Sequence, residues 1–219
     1  MMMMGRLRIL KVVCAFMSLF STLERLSSEK TSGKGLEIYP PTCNRIECPK
    51  FETIQVGNGF QVRRYNSTVW ISTSPIEDIS LVQATRTGFL QLFDYIQGKN
   101  KYQETIEMTA PVISQVIPSD GPFCKSTFKV SFYVPEKNQV DPPPAKGLQV
   151  ERWKPKYVAV KQFSGFVDDS NVGVEAAALK ASLKGTVWED ADGVYTVAQY
   201  NSPFEYDDRV NEIWFLFHL

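Results

Sequence analysis

Histidine is nearly missing from this sequence: its 219 residues hold one, His218, next to the C-terminus. A Ser-His-Asp hydrolase centre needs a histidine held in a packed surround, which a terminal position rarely supplies, so a triad is disfavoured. Zinc ligation by Cys and His is short of donors for the same reason. There is no Gly-x-Ser-x-Gly elbow, no His-Glu-x-x-His helix, no P-loop and no dinucleotide glycine fingerprint. Carboxylates are present, Glu107 and Glu212 among them, but no spacing sets two of them across a cleft. Charge of one sign is also lacking, because 24 Lys and Arg balance 24 Asp and Glu. With no basic stripe interleaved with aromatics, nucleic acid is excluded as a partner. No apolar run approaches the roughly 20 residues that cross a bilayer, which argues against a permanent membrane span. These absences favour a binding protein over an enzyme.

What remains is the composition of a folded globule, since 43% of the residues are hydrophobic, too many for a disordered chain. The length suits one domain and a short extension. Arg6, Arg8 and Lys11 precede the apolar stretch Val12–Met17, Leu19 and Phe20, the pattern of a signal peptide over residues 1–26. Secretion is therefore expected, a cytosolic leader or a membrane-retained one being the alternatives. Residues 27–42, rich in Ser, Lys, Gly and Pro, read as a linker, and the domain is expected over 43–219. Cys43 and Cys48 bracket a short loop and can form a disulfide; Cys124 can pair with either instead, and the sequence leaves the connectivity open. Asn66-Ser67-Thr68 is a glycosylation sequon.

Alternation predicts strands at Phe51–Val56 and Phe60–Tyr65, joined by the tight-turn residues Gly57-Asn58-Gly59, and a third at Thr68–Thr73. A helix is predicted from an Asp78 cap to Gln97, where Gly98 stops it. Strands follow at Pro111–Ile117 and Ser126–Val134, and Asp141-Pro142-Pro143-Pro144 closes the first half. The second half repeats the plan, with strands at Leu148–Trp153 and Tyr157–Phe163, a helix over Asn171–Lys184, and strands at Val194–Tyr200 and Asn211–Phe217. Gln61-Val62-Arg63-Arg64-Tyr65 is echoed by Gln149-Val150-Glu151-Arg152-Trp153. The implied fold class is α+β, a curved antiparallel sheet or open barrel of two related halves with both helices packed on it.

On the first helix, Leu81, Ala84, Gly88, Leu92 and Tyr95 form one apolar stripe, and Val82, Phe89, Phe93 and Ile96 form a second beside it. One sheet needs one stripe, so the surplus meets either a wide core or a ligand.

Several segments resemble the SOUL haem-binding family: Gly88-Phe89, Leu92-Phe93, Tyr95 to Asn100, and Ile106-Glu107-Met108-Thr109-Ala110-Pro111-Val112. The likeness continues through Ser131 to Pro135, Phe163-Ser164-Gly165-Phe166, Gln199 to Pro203 and Asn211 to Trp214. It implies a twisted antiparallel β-barrel of two pseudo-symmetric halves with two flanking helices, and the leader and Cys43/Cys48 resemble plant members that carry secretory signals. It also implies a monomer that binds haem or another porphyrin noncovalently in a surface groove. Carried onto this chain, the groove falls on Arg86, Phe89, Leu90 and Phe93 of the first helix and on Phe204, Tyr206 and Arg209 of a later loop. Arg86 or Arg209 would meet the propionates. His218 is not expected to ligate iron, and Arg64 stands where some relatives place a histidine. Basic positions of other relatives are Asp94 and Glu205 here. A second reading takes another planar or cationic small molecule, with Glu212 as its charge partner. A third is an enzyme acting on a tetrapyrrole or ester, for which no nucleophile and base can be named.

Overall fold

Alternating side chains and tight-turn residues build most of the chain into one sheet. A computed structural model describes residues 39–119, 124–191 and 193–217; the leader, nearly all of the linker stretch and His218 lie outside the described residues. The strands are β1 (Glu52–Gly57), β2 (Phe60–Tyr65), β3 (Thr68–Thr73), β4 (Ile76–Asp78), β5 (Val112–Ile117), β6 (Ser126–Tyr133), β7 (Leu148–Trp153), β8 (Lys156–Ser164), β9 (Tyr195–Gln199) and β10 (Val210–Phe217). The helices are α1 (Leu81–Ile96) and α2 (Asn171–Leu183).

All the pairings between these strands are antiparallel, in the order β1-β2-β8-β10-β9-β5-β6-β3-β7, with β4 added on β6. Leaving aside the edge strand β1, exchanging β2 with β7, β3 with β8, β5 with β9 and β6 with β10 returns the same order read backwards. The two halves are thus structural as well as sequence repeats. Their arms are exchanged, because β2 pairs with β8 and β3 with β7. The sheet curls until Tyr65 of β2 and Trp153 of β7 meet edge to face, ring centres 6.3 Å apart. This is the α+β curled barrel that the sequence implies.

Alternation gives the sheet two packed faces. One receives the helices: Leu81 and Ala84 of α1 and Val172, Ala176 and Leu179 of α2 cluster with Val62, Val197 and Ile213. Farther along α1, Leu92, Tyr95 and Ile96 pack on Val69, Val130 and Phe132. Gly88 marks the closest approach, since a Cβ there would stand 2.4 Å from Val130 Cγ2. The other face lines the barrel interior with Tyr65, Trp70, Tyr133, Tyr200 and Trp214.

Two details differ from the sequence reading. The cap of α1 is Ser80, whose Oγ accepts from the Gln83 N–H at 3.2 Å, while Asp78 accepts the Ser80 N–H at 3.0 Å. The physical reason is β4, a short strand paired with β6 that uses residues up to Asp78 and delays the helix. Ordered packing also begins within the linker stretch, where the Tyr39 ring lies 4.5 Å from Phe51 and its hydroxyl accepts the Phe51 N–H. Cys43 and Cys48 are disulfide-bonded, Cα atoms 5.5 Å apart, and Cys124 is free and exposed.

Candidate functional site

The two stripes of α1 meet different fates. Every member of the first is buried, whereas Val82 and Phe93 of the second are exposed, Phe89 is half-buried, and only Ile96 enters the core. Phe89 reaches down to Phe132 at 5.4 Å and stacks on Phe93 at 5.8 Å with the planes 14° apart. One turn of helix thereby carries a ring from core to surface. Leu90 is 55% and Phe93 41% exposed, so this face presents unpartnered apolar area to solvent. Arg86 shares the face, is exposed, and has no hydrogen-bond or ion-pair partner among the described residues. The structure therefore brings Arg86, Phe89, Leu90 and Phe93 together.

The later loop is built differently. Phe204 and Tyr206 point to solvent, but Arg209 is buried. Its Nη1 donates to the Ser202 carbonyl at 2.8 Å and the Glu205 carbonyl at 2.5 Å, and its guanidinium lies 4.3 Å over the Phe166 ring. Burial pulls its pKa down from the ordinary arginine value, with Glu205 opposing. Arg209 thus holds the loop closed, and Arg86 is the guanidinium left for an anion. A cleft of about 330 Å³ lies between this loop and the disulfide turn, lined by Arg45, Asn201, Glu205, Asp207, Asp208 and Tyr206, the last a residue of the expected groove. Arg45 and Glu205 pair across it at 2.5 Å. None of the α1 residues lines that cleft. Arg64 pairs with Glu52 at 3.0 Å and Asp94 with Lys99 at 2.8 Å, so these departures from the family pattern serve local ion pairs. Glu107 pairs with Lys137 on the surface.

Glu212, the charge partner in the second reading, faces the barrel interior and is fully buried. Its Oε1 accepts from Arg63 Nη2 and Gln162 Nε2, each at 2.9 Å. Its Oε2 accepts from Arg63 Nη1 at 3.0 Å, Tyr200 OH at 2.9 Å and Trp214 Nε1 at 2.7 Å. The Arg63 guanidinium also lies 4.2 Å over the Phe51 ring. Burial is the largest single influence and acts against the charge on Arg63, but Glu212, Tyr65 and Tyr200 together outweigh it and the pKa rises. Tyr200 is pushed well above its ordinary value by burial and by Glu212. A cation from outside would have to displace Arg63, which the sequence places in the repeat with Gln149–Trp153 without giving it a role. A charge on the same strand face as Tyr65 was the available signal.

The SOUL heme-binding protein family matches residues 46–216, most of the chain and the whole sheet but for the last residue of β10. The chain belongs to that family. This SOUL protein is 38% identical over 161 residues to heme-binding protein 2 of Homo sapiens, covering 72% of this chain and 77% of the relative. It is 29% identical to heme-binding protein 1 of Xenopus laevis, covering 73% of this chain and 84% of the relative. Among solved structures, the C-terminal domain of EcmrR superposes with a TM-score of 0.50 at 10% identity, over 75% of this chain and 100% of that one, a likeness of fold alone.

The α1 face of the SOUL protein suits a macrocycle better than a metal. Phe89, Leu90 and Phe93 offer apolar area and a ring stack, and Arg86 a cation for a carboxylate. None of the four is an imidazole, thiolate, thioether or phenolate of the kind that holds haem iron.

Proposed function

We propose that this protein binds a tetrapyrrole noncovalently on the outer face of α1, by ring stacking and one charge contact. The observation that carries this reading is the stacked Phe89–Phe93 pair, anchored on Phe132 and open to solvent beside Arg86, which has no partner among the described residues. A planar apolar ligand covers such area with little rearrangement, and a guanidinium pairs bidentately with a propionate. Haem, when bound, would supply a planar apolar surface and an iron; this face recognises the surface and the propionate edge. The family's heme-binding relatives support the ligand class. Glu212 supports the alternative of an organic cation poorly, because its five donors leave no vacant place at the carboxylate.

Titration with haemin and with metal-free protoporphyrin IX tests the proposal, with similar affinities expected for both. Phe93→Ala, and Phe89→Ala beside it, should weaken both ligands. Phe93→Ala should also cost less stability than the roughly 3–5 kcal/mol of a fully buried Phe. A collapsed melting temperature with unchanged affinity would return the stripe to the core, and tight haemin binding with no porphyrin binding would replace stacking by iron ligation.

A further inference from the structure

The α1 face and the 202–209 loop are joined by a segment that neither the sequence motifs nor the stacking argument assigns to the site. It runs from Gly165, where a φ of +83° turns the chain out of β8, to the start of α2. Phe166 follows. One aspect of its ring is covered by the Arg209 guanidinium at 4.3 Å, and its edge meets Tyr206 at 5.9 Å with the planes 61° apart. Phe166 is nonetheless 49% exposed. The backbone behind it is pinned, since Asn171 Nδ2 donates to the Phe166 carbonyl at 2.8 Å. Asp169 then ties the segment to α1, its carboxylate accepting from Ser80 Oγ at 2.7 Å and from the Val82 N–H at 3.3 Å. Three residues of chain reach at most about 11 Å, so Phe166 lies within that distance of the residue that touches the first turn of the helix.

A phenyl ring fixed at this many points and still half open carries apolar area held ready for contact. Arg209 makes the arrangement stiff, because its guanidinium is committed to two carbonyls and the ring. Charge gives the surface a direction. Asp207 and Asp208 follow Tyr206 directly, so the loop end repels a propionate, while Arg86 on the helix attracts one.

We propose that Phe166 is a further apolar contact residue of the tetrapyrrole face, and that Arg209 is the positioning residue clamping its ring. The inference rests on the α1 reading above. It assigns the propionates to Arg86 and an uncharged contact with the ring to Phe166.

Protoporphyrin IX and its dimethyl ester, titrated against the full chain, separate these roles. Phe166→Ala should weaken both ligands about tenfold, the scale of one lost aromatic contact. Phe166→Leu should weaken them less, with its melting temperature held near that of the wild type. Arg86→Ala should weaken the diacid and leave the ester unchanged. Should Phe166→Ala fail to fold, Phe166→Leu against Phe166→Tyr gives the same comparison, with Tyr binding more tightly. Wild-type affinity in every folded Phe166 variant, alongside loss in Phe93→Ala, would overturn this inference and leave the α1 reading standing. Wild-type protein that binds neither porphyrin would overturn both.

Discussion

Two ion pairs occupy matching places in the two halves with their polarity reversed. Aligning Gln61–Tyr65 with Gln149–Trp153 sets Arg63 against Glu151. The registers of β3 with β6 and of β8 with β10 then set Lys129 against Glu212. Arg63 reaches Glu212 across β8 at 2.9 Å, and Glu151 reaches Lys129 across β3 at 2.8 Å. The first pair is 1% and 0% exposed, the second 30% and 29%. One topology thus hosts a sealed charge pair in one half and a solvated pair in the other, and burial rather than position decides what each contributes.

The largest expected effect comes from the sealed pair. Arg63→Met or Glu212→Gln leaves a buried group without its partner and should cost about 3–5 kcal/mol in urea unfolding. Arg63→Met with Glu212→Leu should cost less than the two single changes together. A loss below 1 kcal/mol in either single variant would break the comparison, since a sealed pair would then behave as a surface one.

Alkaline titration sharpens it next. Burial raises Tyr65 and Tyr200, the tyrosines around that pair, above the ordinary 10.0. Tyr133, on the strand equivalent to β10, is pushed up to about 12, again chiefly by burial. The folded state keeps protons that the unfolded chain gives up, so their contribution is complete below about pH 10 and is lost as pH rises through the folded values. Stability followed by circular dichroism should fall steadily above pH 10, and a flat profile there would show these hydroxyls to be open to water.

The smallest effect belongs to the solvated pair: Lys129→Ala should change stability by no more than about 1 kcal/mol. A loss as large as that of Arg63→Met would mean that the two halves seal their charges alike.

Much of this architecture was legible because period-2 alternation, the Gly57–Gly59 turn and two helical stretches are local signals. β4 escaped because three residues after Pro75 carry no alternation of their own, and the helix cap moved with it. The pairing of Arg63 with Glu212 was hidden for a different reason: a charge within a strand reads as solvent-facing until the register of β2, β8 and β10 is known. At the candidate site, the surplus stripe of α1 could be read from helical spacing, and Arg86 was found at its edge. The commitment of Arg209 could not, since it depends on how two loops distant in sequence, at Phe166 and Ser202–Glu205, fold over it.

The exchanged arms constrain how the molecule comes into being. Neither half can finish its sheet alone: without the second half, β2 and β3 lose their partners β8 and β7, and β5 loses β9. Assembly must therefore wait until chain segments far apart in sequence have met, which places this fold among the slower, non-local folders. Two copies of one such half could complete each other's sheet in the same way, so the backwards-reading strand order is that of a two-fold dimer written into a single polypeptide.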